Sequence, residues 1–132
     1  MPSSRRLLVL TVAMDAVLVT VFAAIGRATH EGDVLGSFGS GLLTTVWPFL
    51  VALAVGWLVV RGWRAPLALA RTGLPLWAIT VTLGMVLRAA SGQGTAVAFV
   101  VVAAITLAVF LLGWRAIALV VVRSRRRSVR AD

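Results

Sequence analysis

Short polar segments divide this chain into four apolar runs, about 7–25, 43–60, 73–90 and 96–122. Each is near the roughly 20 residues that a helix needs to cross hydrocarbon. The chain has 132 residues, 61% of them hydrophobic and 13% charged, so there is too little polar surface to wrap a water-soluble core. The expected fold is all-α: a polytopic membrane protein with four transmembrane helices in an antiparallel bundle. One domain fills 1–122, followed by a basic tail, 123–132.

The punctuation between runs supports that division. Gly26 to Gly41 is glycine-rich and polar, and is expected to be a loop. Trp47-Pro48 lies near the start of the second run, where a missing N–H matters little if the helix begins there. Arg61, Trp63, Arg64 and Pro66 mark its exit, and Pro75 opens the third run. Ser91-Gly92-Gln93-Gly94-Thr95 suits only a tight turn, which joins the third and fourth helices as a hairpin. The fourth run would be about 40 Å long, against a hydrocarbon core of about 30 Å, so it must tilt or protrude. The first run is longer than the apolar part of a signal peptide, and three more spans follow it. The loose likeness of Ser4-Arg5-Arg6-Leu7-Leu8 to a twin-arginine export signal therefore carries little weight.

Arginine supplies the orientation. Arg5, Arg6, Arg61, Arg64, Arg71, Arg123, Arg125, Arg126, Arg127 and Arg130 fall on one side of four alternating spans, and only Arg27 and Arg88 near the other. Under the positive-inside rule both termini face the cytoplasm of a cell membrane. The net charge of +9 thus reads as membrane topology, and no nucleic-acid partner is expected. The tail Arg123, Arg125, Arg126, Arg127 and Arg130 is expected to be disordered in water and drawn to anionic lipid, an attraction that phosphorylation of Ser124 or Ser128 would weaken.

Two charges stand inside the spans. Asp15 lies eight residues into the first, about 12 Å from its edge, and Arg115 lies about 10 Å from the end of the fourth. At a common depth near mid-membrane they would form a buried pair. A face of Ala104, Ala108, Leu111, Arg115 and Ala118 would allow close approach, and Thr11 would add a hydrogen bond one turn from Asp15. Such a pair can fix helix register or relay a proton or ion; a protonated Asp15 and a snorkelling Arg115 are the alternatives.

A second group, Arg27, His30, Arg88 and Trp47, comes from span ends on the opposite side. It would suit a carboxylate or lipid phosphate, or else merely meet headgroups with Glu31 and Asp33 in balance. His30 with Glu31 and Asp33 makes a poor metal site, and one histidine is a poor basis for haem, so no metal or cofactor is assigned. With no cysteine, thiolate chemistry and disulfides are out, and no nucleophile has an evident base, so no catalytic residue is named. Trp57, Trp63 and Trp77 read as an interfacial belt, with Trp47 in the opposite one. Gly56 and Gly84 read as close-packing points, and Thr80, Gly84 and Arg88 share one helix face. Weak echoes, Arg27-Ala28 with Arg88-Ala89 and Gly56-Trp57 with Gly113-Trp114, raise the idea of two repeated hairpins.

Asp15, Gly26-Arg27-x-x-His30, Trp47-Pro48-Phe49, Gly84-Met85-x-x-Arg88 and Gly113-Trp114-Arg115 together resemble an uncharacterised family of small prokaryotic membrane proteins, domain of unknown function 3054. The resemblance runs from about Asp15 to Arg115 and leaves out the arginine tail. It implies a four-helix membrane protein and supplies no activity. The leading expectation is a small-solute or lipid-handling bundle, working as a homo-oligomer because four helices enclose little room. The competing expectations are a non-catalytic partner subunit of a larger membrane complex and an intramembrane cofactor-binding protein.

Overall fold

The computed structural model describes residues 4–30 and 39–132. Among these residues its regular structure is all helical, without strands: α1 is Ser4–His30, α2 Ser40–Val60, α3 Leu74–Ala90 and α4 Val97–Ala131. A short 3-10 helix, Gly62–Arg64, and a π-helical turn, Leu69–Gly73, lie between α2 and α3. Four helices are long and apolar enough to cross a membrane, the third counted from Leu69 through the π-helical turn.

Helix ends follow the local chemistry, and three of them differ from the sequence expectation. Gly26 to His30 belongs to α1 rather than to a loop; Glu31, Asp33 and Gly36-Ser37-Phe38 lie outside the described residues. No proline interrupts α1, and Thr11, Thr20 and Thr29 each return the hydroxyl to a carbonyl four residues back, so the helix carries its own polar groups. α2 opens after Gly39, whose φ of 82° favours glycine. Because the helix begins at Ser40, Pro48 is interior to it, not at its start. The Thr44 carbonyl, which would have received the missing N–H, instead accepts from Gln93 Nε2 at 2.9 Å. The tail is helical to Ala131 rather than disordered. It holds neither glycine nor proline, and arginine is a good helix former.

The core draws on all four helices: Val19, Phe22 and Ala23; Val46, Phe49, Leu53 and Trp57; Leu76; and Ala103, Leu107 and Leu111. Two glycines set how closely α2 and α3 approach. A Cβ at Gly56 would lie 2.8 Å from the Leu76 side chain, and one at Gly84 would lie 2.5 Å from Phe49. Phe22 meets Phe49 edge to face with centroids 5.2 Å apart, and Phe99 of α4 lies 6.4 Å from each. The buried line on α4 is Ala103, Leu107, Leu111 and Arg115, at a constant spacing of four, so Ala104, Ala108 and Ala118 are only half-buried flanks.

Candidate functional site: a closed charge network under the α2–α3 segment

Asp15 and Arg115 are both fully buried and form a bidentate pair. Arg115 Nη1 donates to Asp15 Oδ1 at 2.8 Å and Nη2 to Oδ2 at 2.7 Å. Trp114 Nε1 donates to Oδ1 at 2.8 Å and Trp57 Nε1 to Oδ2 at 3.1 Å. A carboxylate offers about four lone-pair positions, so this one is saturated, and every partner is a donor, which suits the ionised form. The guanidinium is held equally well. Its Nε donates to the Pro66 carbonyl at 3.0 Å and its Nη1 also to the Leu111 carbonyl at 2.9 Å, while it lies 4.9 Å from the Trp114 ring and 5.9 Å from the Trp57 ring.

The segment between α2 and α3 closes the site. Trp57 is one turn from the end of α2, so the network lies at that end of the helix rather than midway along it. Arg61 then takes a left-handed conformation, φ 54°, with its N–H returned to α2 carbonyls. The next position must be glycine for space, because a Cβ at Gly62 would sit 2.3 Å from the Trp57 ring. Thr72 Oγ1 donates to the Ala65 carbonyl at 2.6 Å, drawing the segment into a compact cap. Gly73 lets it settle on Arg115, whose Cδ would be 3.1 Å from a Cβ there.

Two sequence expectations change here. Trp57 is buried and bonded to Asp15 rather than placed in an interfacial belt, and Trp77 donates to the Ala104 carbonyl at 2.8 Å. Thr11 bonds the Leu7 carbonyl instead of Asp15, since its own backbone is nearer than the next turn. Trp114, Pro66 and the glycines at 62 and 73 belong to the site without having been named for it. The sequence signal that could single out the tryptophans is the Gly56-Trp57 and Gly113-Trp114 echo, whose two indoles reach one carboxylate.

At the opposite helix ends, Arg88 Nε donates to the Gly94 carbonyl at 2.7 Å and Nη1 to Gln93 Oε1 at 2.8 Å, and the guanidinium lies 4.4 Å from the Phe99 ring. Arg27 Nη1 reaches Thr45 Oγ1 at 3.4 Å. Through Gln93 and Thr45, both arginines are tied to the first turns of α2, and both have further interactions. Trp47 is partly exposed, and the side chain of His30 lies outside the described residues. Thr80 and Gly84 are buried on the face they share with Arg88; the Thr80 hydroxyl has no hydrogen-bond partner among the described residues. No group of three metal-ligating residues occurs among the described residues. Arg123, Arg125, Arg126, Arg127 and Arg130 stand exposed on the extension of α4.

The fold and site define a class: four helices of membrane-crossing length, locked at one end by a buried arginine–carboxylate pair. The chain belongs to the family described as protein of unknown function (DUF3054), whose model matches residues 12–118, from just before Asp15 to just beyond Arg115. No curated protein and no solved structure matches it.

Proposed function

We propose that this chain is a multi-pass protein of the cell membrane, with antiparallel helices and both termini in the cytoplasm, that serves as a non-catalytic subunit of a larger membrane assembly. The observation that carries this reading is the saturation of Asp15. Its acceptor positions are filled by Arg115, Trp57 and Trp114, and Arg115 is tied in turn to two main-chain carbonyls. A relay or a solute site at this pair would need a carboxylate or guanidinium edge to offer; the network uses those edges to hold α1, α2, α4 and the segment 61–73 together. Interaction then falls to the perimeter.

A shallow groove of about 280 Å³ between α1 and α2, lined by Ala16, Val17, Thr20, Val21 and Leu50, supports that reading. Ala16 and Thr20 are small and four residues apart, the spacing that lets a neighbouring membrane helix approach closely. The groove's apolar lining and its volume of about 280 Å³ also suit part of an acyl chain, which favours lipid handling as the second reading. Orientation rests on the arginine distribution.

Native mass spectrometry of mildly extracted protein separates these readings. The assembly reading expects a fixed stoichiometry with a protein partner, lost on Thr20→Trp without loss of fold. A retained lipid of defined mass would favour the second reading. A bare monomer with only loosely held bulk lipid would contradict both.

A further inference from the structure

α4 does not stop where its apolar run stops. Val97 to Val122 spans about 39 Å at 1.5 Å per residue, already more than a hydrocarbon core of about 30 Å. The helix continues to Ala131, and every residue from Val121 onward is exposed. On this extension Arg123, Arg126, Arg127 and Arg130 follow one another at steps of three, one and three, which gathers them within an arc of about 100°. Ser124, Arg125, Ser128 and Val129 fall outside the arc. Arg126 stands three turns beyond Arg115 and within about 20° of it, so one edge of the arc continues the line of Arg115 and the rest turns away from it, by about 120° at Arg127. Arg61, Arg64 and Arg71 of segment 61–73 are exposed as well.

Two features say what such a surface fits. Four arginines within one arc repel each other, and among the described residues the acidic ones are only buried Asp15 and the terminal Asp132, so the arc favours an external anionic partner. Arg130 lies about 12 Å past Val122, whereas a headgroup layer is only about 5–7 Å thick, so an upright α4 carries the outer arginines past lipid phosphates into water. The far face lacks the apolar stripe that would let the extension lie flat in the interface.

We propose that this arginine arc docks an acidic segment of the partner protein. This rests on the assembly reading and adds the chemistry of the partner. The test uses the full chain in nanodiscs of phosphatidylcholine, with a fluorescent poly-glutamate peptide as probe and anisotropy as readout. The peptide is expected to bind, more weakly as salt rises. The variant R126Q/R127Q/R130Q should lose at least about tenfold in affinity, while the charge-matched R5Q/R6Q/R125Q should lose less than about threefold. Equal losses in the two variants would mean diffuse charge rather than a docking arc and would overturn the proposal. So would absence of binding in phosphatidylcholine, or loss of peptide binding on replacing it with phosphatidylglycerol, which would assign the arc to lipid headgroups. None of these outcomes alters the stoichiometry measured by native mass spectrometry, so the assembly reading stands or falls separately.

Discussion

The two ends of the molecule use arginine for different purposes. At the Asp15 end, Arg115 is fully buried, faces an anion and shares it with two indoles. At the Gln93 end, Arg88 is only half-buried, and its partners include a carbonyl, an amide oxygen and the face of Phe99. The first end answers the problem of a charge in an apolar interior; the second answers the problem of Pro48. Arg88 holds Gln93, and Gln93 supplies the donor that Pro48 denies to Thr44. Burial and what each guanidinium holds in place, rather than residue type, decide what each arginine is worth.

That contrast orders the expected effects of substitution. Asp15→Leu should be the most damaging, because it strands Arg115 as a buried unpaired cation; a loss of about 3–5 kcal/mol is expected in denaturant unfolding in mild detergent. Gly62→Ala should follow, at about 1–3 kcal/mol, because its Cβ would sit 2.3 Å from a Trp57 ring atom that is itself bonded to Asp15. Tryptophan emission from the same sample should shift as Trp57 is displaced. Trp114→Phe keeps the ring and deletes one donor to the carboxylate, for about 1.5–3 kcal/mol at most, the range of hydrogen bonds to charged groups. Gln93→Ala should cost about 1 kcal/mol by leaving the Thr44 carbonyl to water, with faster hydrogen exchange confined to the first turns of α2. A larger effect at Gln93 than at Asp15 would invert the comparison between the ends.

The sequence made some of this legible and hid the rest. Apolar runs and proline or glycine punctuation read out four long helices, because membrane-length hydrophobicity is a signal summed over many residues. Asp15 and Arg115 stood out because a charge inside such a run has few stable solutions. The tryptophans did not: an indole is equally at home in an interfacial belt or donating to a buried acid, and only the helix rotations distinguish the two. Segment 61–73 was opaque because 3-10 and π-helical turns carry no periodicity of their own, while its job depends on where the Pro66 carbonyl ends up. In the sequence Gln93 reads as a turn residue; its bond to the Thr44 carbonyl follows from Pro48 lying inside α2 rather than at its start.

The central claim is that Asp15 and Arg115 act as a closed structural lock. A double-mutant cycle of Asp15→Leu, Arg115→Met and the two combined tests it most directly, with unfolding free energy read in the same detergent. A lock predicts that each single substitution destabilises by about 3 kcal/mol or more, and that the combined variant loses clearly less than the two losses added together, because no charge is then left buried and unpaired and only the indole donors and the Pro66 carbonyl lose their partners. Single variants as stable as the wild type, or a combined variant as unstable as the two losses added together, would contradict it.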